Sequence, residues 1–148
     1  MLTDEMIATA EKQRLGFVAT VSDDGQPNVS PKGTFVVIDN QTLAFGEIRS
    51  PATLKNLRGN SSIEVNFVDP LSRKGFRAKG SASIWKRGSA DFEENIARFD
   101  RWGGLARRIN NIVVISVRVA KPLTTPAYDD GAVESELRAT WTEILLSE

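Results

Sequence analysis

The sequence lacks both cysteine and histidine over its 148 residues. Without cysteine the chain cannot form a disulfide, a thiolate nucleophile, an iron–sulfur cluster or a thiol zinc site. Without histidine it has no Ser-His-Asp triad, no histidine-based metal site, no proximal haem ligand and no usual general base at neutral pH. If the chain is an enzyme, we therefore expect a bound cofactor to supply the chemistry.

Neither sign of charge is in excess, because 19 basic residues balance 19 acidic ones. This balance argues against broad capture of nucleic acid, which needs a basic face, and against a polybasic membrane anchor. No apolar run is long enough for a transmembrane helix, and residues 1–5 lack the basic-then-apolar pattern of a signal peptide. We expect no nucleic-acid partner, no membrane partner and a cytoplasmic location.

The length predicts a single domain, residues 1–148, that is large enough to bury a core. Pro31 and Gly33 indicate an edge or a bulge in the second strand, and Gly80 indicates a bulge further on. Strands and helices do not alternate as a parallel sheet requires, so the pattern predicts a mainly β fold, a closed antiparallel barrel with peripheral helices. β-forming runs predict five or six strands, over residues 17–21, 28–38, 42–46, 62–68, 76–86 and 112–119.

Helices are predicted over residues 3–14, from Pro51, after Ser89 and over residues 132–146. The last of these follows an irregular segment, so residues 1–122 form the barrel and residues 123–148 a C-terminal extension. Apolar side chains recur in the terminal helix at spacings of four, which predicts a face that must dock. The sequence leaves open whether this face packs on its own barrel or on a partner subunit.

The junction between the third predicted strand and its helix has the features of an anion site. Ser50 is a good N-cap and Pro51 suits the first helical position. Such a start presents unpaired N–H groups and the positive end of the helix dipole. Arg49, Thr53 and Asn56 add polar groups, so a phosphate-bearing ligand would fit here. The alternative is an ordinary capped surface helix.

Three stretches follow one another in an informative order: residues 25–35, residues 43–46, and the polar positions of the helix start. With the later strand around Lys79 and the helix around Phe99, they resemble the FMN-binding split-barrel superfamily over residues 5–119. That group includes pyridoxamine 5′-phosphate oxidases and small FMN-binding proteins. The resemblance implies a six-stranded antiparallel split β-barrel that forms a homodimer, with FMN bound in a groove between the two subunits.

The resemblance also implies which residues would contact the cofactor. The second-strand segment would lie along the flavin, the end of the third strand would run beside the ring, and the helix start would hold the phosphate. Lys79, with Arg77, would approach from the partner chain. Trp102 and Trp141 either stack near the flavin or pack in the core or an interface. The remaining implied contacts are Ser30, Pro31, Lys32 and Gly33, then Phe45, Gly46 and Glu47, then Arg49, Ser50, Thr53 and Asn56.

The expected function is that of an FMN-dependent oxidoreductase with a small-molecule redox substrate. Its alternatives are a deazaflavin-binding reductase of the same fold, a non-catalytic FMN carrier, electron-transfer protein or sensor, and a structural domain without cofactor. Pyridoxamine phosphate oxidases use a C-terminal segment with Arg and His to bind their substrate. This chain has no His and its C-terminal part differs, so the resemblance does not extend to that specific activity. The C-terminal extension is instead a hypothetical cover for the flavin site of either subunit.

Overall fold

A computed structural model describes residues 1–147, which fold into strands, four α-helices and two 3-10 segments. The helices are α1 (Asp4–Gln13), α2 (Pro51–Gly59), α3 (Ala90–Asn95) and α4 (Glu134–Leu146), and the 3-10 segments are Ile96–Arg108 and Pro126–Tyr128. The strands are β1 (Gly16–Val21), β2 (Pro27–Lys32), β3 (Phe35–Asp39), β4 (Thr42–Glu47), β5 (Ser62–Val68), β6 (Gly75–Lys86) and β7 (Asn111–Leu123).

The strands form one antiparallel sheet in the order β2-β1-β5-β6-β7-β4-β3. The two strands at its ends, β2 and β3, are consecutive in the chain and are joined by Gly33 and Thr34 alone. A link this short forces the sheet to curl until its two ends meet, which confirms the antiparallel barrel. We call Gly33–Thr34 the seam.

The seam explains why the described chain has seven strands where the resemblance implied six. Residues 28–38 form one continuous run in the sequence, with Pro31 and Gly33 as signs of irregularity. In the structure the first part of this run pairs with β1 and the second part with β4, at opposite ends of the sheet. The chain therefore breaks its pairing at the seam, and the run counts as two strands.

Two apolar cores lie on the two sides of the sheet. The barrel interior contains Phe35, Phe67 and Phe76, whose neighbouring rings have centroids 4.8 and 5.3 Å apart. A second core fills the space between the outer side of β4 and β7 and the segment that follows β6. Ile112 faces this second core and Val113 the interior, so β7 is buried on both faces, as its apolar run predicted.

Local signals at α1 and β6 are confirmed. The N–H of Met6 donates to the Thr3 hydroxyl, so Thr3 caps α1 as expected. The pairing of β6 with β7 shifts register between Lys79 and Gly80, which is the predicted bulge. A Cβ at Gly80 would lie 2.0 Å from the carbonyl oxygen of Ser116, so only glycine fits there.

The C-terminal extension docks on its own chain, against the turn of residues 69–74. Arg138 contacts the Asp69 carboxylate at 2.6 Å, and the Arg73 guanidinium lies 3.4 Å from the centre of the Trp141 ring. The Tyr128 hydroxyl donates to the Ser72 carbonyl at 2.6 Å. No side chain of α4 is fully buried, so polar contacts dominate this docking. No helix within residues 1–147 is long and apolar enough to cross a membrane.

Candidate functional site

A groove of about 500 Å³ lies beside the seam. The end of β2 and the turn after β4 form its polar side, and the 3-10 segment after α3 forms the other side. We call it the seam groove. Seven of the twelve residues expected at the cofactor line it, namely Ser30, Pro31, Lys32, Gly33, Gly46, Arg49 and Ser50.

Lys32 is the central charged group of the seam groove. Its side chain is 9% exposed, and its ammonium group donates to the hydroxyls of Ser30 and Ser50 at 2.8 and 2.7 Å. It forms no ion pair with any carboxylate within residues 1–147. Burial lowers the pKa of Lys32 below its ordinary value, and the negative charge of Glu47 offsets part of this effect. A nearly buried cation with hydroxyl partners and a remaining proton is suited to an anionic ligand.

Ser50 occupies the N-cap position of α2 but does not cap the helix, contrary to the sequence prediction. Its hydroxyl makes no hydrogen bond to the first turn and instead accepts from Lys32. Pro51 has no N–H, and the N–H of Leu54 donates to the Ser50 carbonyl. The N–H groups of Ala52 and Thr53 therefore have no intrahelical acceptor. The positive end of α2 thus starts beside the Lys32 ammonium.

Glu47 is buried at 4% exposure and serves to hold this junction in place. One carboxylate oxygen accepts from the N–H of Ser50 at 2.7 Å, and the other accepts from the side-chain amide of Asn111 at 2.8 Å. Both oxygens are therefore engaged within the protein. Glu47, expected beside the flavin ring, lies behind the groove wall and fixes the backbone of Ser50.

Three further side chains that were expected to contact the cofactor point into the protein and do not line the groove. Phe45 is fully buried in the barrel interior, with its ring 6.0 Å from the Lys32 nitrogen. Asn56 donates to the Thr20 hydroxyl at 3.0 Å and so ties α2 to β1. Thr53 is also buried, at 3% exposure. These residues support the groove from behind, and their direct contact with a ligand stays a prediction.

Lys79 lies on the opposite face of the sheet from Lys32. Lys32 and Ser30 share the core-side face of β2, whereas Lys79 belongs to an outer row that the pairing of β1, β5 and β6 defines. There Lys79 contacts Glu64 at 3.6 Å and, with Arg77, borders a separate depression of about 260 Å³. Within one chain it cannot reach the seam groove.

The wall facing Lys32 is apolar and comes mainly from the 3-10 segment. Trp102, half-buried, and Leu105, 39% exposed, line the groove together with Ile48. Trp102 is thus brought to the site, whereas Trp141 lies against Arg73 and no residue of the extension lines this chain's groove. The sequence reasoning did not include Thr34, Ile48 or Leu105. The sequence does carry a signal for Leu105, because Ile96, Phe99, Trp102 and Leu105 recur at spacings of three, which puts them on one face of a 3-10 helix.

Comparison with known proteins gives consistent results. The family description "Pyridoxamine 5′-phosphate oxidase" matches residues 2–125, which is most of the chain. The crystal structure of HupZ from Group A Streptococcus is similar with a TM-score of 0.71 and 29% sequence identity, over 84% of this chain and 96% of that one.

A more distant relative has the same fold. It is an FMN-binding protein from Syntrophomonas wolfei, with a TM-score of 0.66 and 15% identity, over 82% of this chain and 88% of that one. No protein of curated function matches the sequence. The similarities cover the barrel, the seam and the strands that border the groove.

Proposed function

The chain belongs to the pyridoxamine 5′-phosphate oxidase family, and we propose that it is a flavoprotein that binds FMN in the seam groove and acts as an oxidoreductase on a small molecule. The observation that carries this proposal is the Lys32 ammonium, nearly buried and held by two hydroxyls without a carboxylate partner in the described chain. Glu47 offsets the cost of burying this charge only in part, so an anionic ligand in the groove would stabilise it further.

The polar side of the groove fits a phosphate monoester. FMN carries about −1.5 to −2 charges on its phosphate at neutral pH. The Lys32 ammonium, the exposed Arg49 guanidinium and the positive end of α2 all border the same space. The groove lining contains no carboxylate that would repel the ligand. Charge complementarity therefore favours a dianion at this position.

The opposite wall fits the remainder of the molecule. Trp102, Leu105 and Ile48 offer apolar contact to a planar ring. FMN joins an anionic group and an apolar ring in one ligand, which matches the two sides of the groove.

When bound, FMN would supply the transfer of electrons or hydride, and the chain would supply binding and orientation. Lys32 and Arg49 would hold the phosphate, and Glu47 would keep Ser50 in place through its N–H. Among the residues that line the groove, Lys32 and Arg49 are the charged ones and none is an acid. A carrier or electron-transfer role that needs no protein acid therefore remains the alternative to substrate turnover.

We also propose that the chain forms a homodimer through the outer face of β1, β2 and β7. Phe17, Val29 and Val119 are 43%, 62% and 45% exposed on this face, close to Lys79 and the edge of the seam groove. Asn66, in the same face, has a buried side-chain oxygen with no partner within residues 1–147. Exposed apolar side chains and an unsatisfied polar atom both favour a second copy packed here.

The first experiment is a titration of the purified chain with FMN, followed by removal of the free ligand and an absorption spectrum. Retention of about one flavin per chain, with the absorption bands of oxidised FMN, would support the proposal. A protein that retains no FMN would overturn the proposal. If it retained a deazaflavin instead, the groove would be a deazaflavin site. Turnover with reduced nicotinamide would then separate an oxidoreductase from a carrier.

The dimer is tested by sedimentation of the wild type and of Val29→Lys. We expect a dimer for the wild type and a monomer for V29K, because a lysine would place a charge in an apolar interface. Val133→Lys, which changes another exposed valine, in the extension, is the matched control and should stay dimeric. A monomeric wild type would contradict the proposal.

A further inference from the structure

We propose that Trp102 contacts the ring of the bound flavin and, with Leu105, makes the seam groove select an aromatic phosphate over a phosphate without a ring. This inference rests on the proposed function and deepens it. The family match gives no role to either residue, and their assignment comes from their position in the groove wall.

Trp102 is held in place from two sides. The ring of Phe99, which is fully buried, has its centroid 5.7 Å from the Trp102 ring. The Arg101 guanidinium lies 4.1 Å from the centre of the indole, and it donates to the Phe35 carbonyl at 2.6 Å. The indole is thus pre-positioned between a core residue and an anchored cation. A pre-positioned ring loses little conformational freedom when a ligand contacts it.

The backbone beyond Trp102 bends at Gly103. Gly103 has a φ of 56°, a positive value that residues other than glycine rarely adopt. Neither Gly103 nor Gly104 has a heavy atom of another element near its Cβ position. Leu105 follows two residues after Gly103 and lines the same groove as Trp102. Gly103 therefore permits the backbone bend between these two apolar side chains.

The separation of charge and apolar surface within the groove predicts selectivity. Lys32 and Arg49 would attract any phosphate, whereas Trp102 and Leu105 gain contact only with a ligand that carries a ring. Removal of a stacking aromatic weakens the binding of planar rings by about tenfold or more. We expect this effect for FMN and no effect for a sugar phosphate.

The test compares the dissociation constants of FMN and ribose 5-phosphate for the wild type, Trp102→Ala, Trp102→Phe and Leu105→Ala, with ribose 5-phosphate measured by competition. For W102A we expect the FMN constant to rise about tenfold while the ribose 5-phosphate constant stays unchanged. W102F keeps an aromatic ring and should lose much less. Trp141→Ala is the matched control, since Trp141 lies outside the groove.

The fluorescence of bound FMN gives a second readout that does not depend on affinity. An indole in contact with a flavin quenches its emission, so bound FMN should be dark in the wild type and in W141A but emissive in W102A. A wild type that binds no FMN would overturn the proposed function itself. If the wild type binds FMN and W102A matches it in affinity and in emission, only the role of Trp102 is overturned.

Discussion

The ammonium group of Lys32 lies 2.7 Å from the hydroxyl oxygen of Ser50, and this contact fastens the open end of the β3–β4 hairpin. Next to it, Thr34 exchanges hydrogen bonds with Gly46, through its carbonyl at 3.0 Å and its hydroxyl at 2.6 Å. The hairpin ladder thus continues past β3 and ends at Lys32. The same ammonium group connects β2 to the start of α2 and faces the groove in which we place the phosphate.

Replacement of Lys32 by methionine should weaken FMN binding by about 10- to 100-fold. Loss of a hydrogen bond to a charged group costs about 1.5–3 kcal/mol, and each 1.4 kcal/mol is tenfold in affinity. Riboflavin, which lacks the phosphate, should bind equally to both proteins. Equilibrium titrations give the constants, and Lys55→Met, at an exposed position of α2, is the control. Equal losses for the two ligands would contradict a phosphate contact.

The ligand-free protein should respond to Lys32→Met in the opposite direction. Because burial lowers the pKa of Lys32 below 10.5, the folded state binds fewer protons than the unfolded state above that lowered value. Stability from this group therefore rises with pH between the lowered pKa and 10.5. At neutral pH the buried charge is a cost, so K32M should unfold at the same or a higher denaturant concentration.

The difference in the free energy of unfolding between K32M and the wild type should then shrink as the pH rises towards 10. Urea unfolding at a series of pH values measures it. FMN affinity of the wild type should fall over the same range, because the ammonium loses its charge. A wild type whose stability relative to K32M is constant from pH 7 to 10 would show that Lys32 has no lowered pKa.

Gly46→Ala should destabilise the protein by about 1–3 kcal/mol through overpacking. A Cβ at Gly46 would lie 2.4 Å from the Cδ1 atom of Ile109, which is fully buried. In an Ile109→Val background that atom is absent, so the added cost of G46A should be smaller there. Thermal unfolding of the four proteins in this double-mutant cycle measures the coupling. Additive costs would mean that the two residues do not compete for space.

Acid should weaken the docking of α4 on the turn of residues 69–74. Burial alone would raise the pKa of Asp69, but hydrogen bonds from the Leu71 N–H, Arg138 and the Ser72 N–H outweigh this and hold it below 3.8. The stability that the ionised Asp69 gives to the folded protein is therefore fully present above pH 3.8. It is lost as the pH falls through the lowered pKa of Asp69. Arg138→Met should loosen α4 already at neutral pH.

The emission of Trp141 reports this docking in a protein that carries Trp85→Phe and Trp102→Phe. In this background, R138M at pH 7 should show the Trp141 emission that the parent, which keeps Arg138, shows only at acid pH. Arg58→Met, an exposed arginine of α2, should leave the emission unchanged. An R138M protein with the emission of its parent at pH 7 would show that this ion pair does not hold the extension.

Local signals in the sequence were sufficient for most of the elements. The cap at Thr3, the alternation of β5 and the bulge at Gly80 each depend on a few neighbouring residues, and each is confirmed. The break of the run 28–38 into two strands was missed, because it arises when the sheet curls and its ends meet at the seam. The sequence leaves the docking of the extension open for the same reason, since its partner turn lies about 60 residues away in sequence.

For the site, the structure contradicts one local prediction and leaves the ligand contacts as predictions. Ser50 was expected to cap α2, but the Lys32 ammonium takes its hydroxyl, which is a contact across 18 residues that no local rule predicts. Asn56 donates to Thr20 because its position on α2 turns it towards β1, and its contact with a phosphate stays a prediction. Lys79 lies on the outer face of its own chain, and its approach to the flavin from a partner chain also stays a prediction.

The two sides of the seam groove come from separate parts of the chain. Residues 30–50, a single hairpin with its flanks, form the charged side, whereas Trp102 and Leu105 reach the opposite wall from a segment more than 50 residues later. In the proposed FMN site, substitutions in that later segment would alter which ring the groove accepts without disturbing the charged side. In evolutionary terms, one chain region would then set the anchoring of the ligand and another its identity, so new ligands could arise by changes in the 3-10 segment alone.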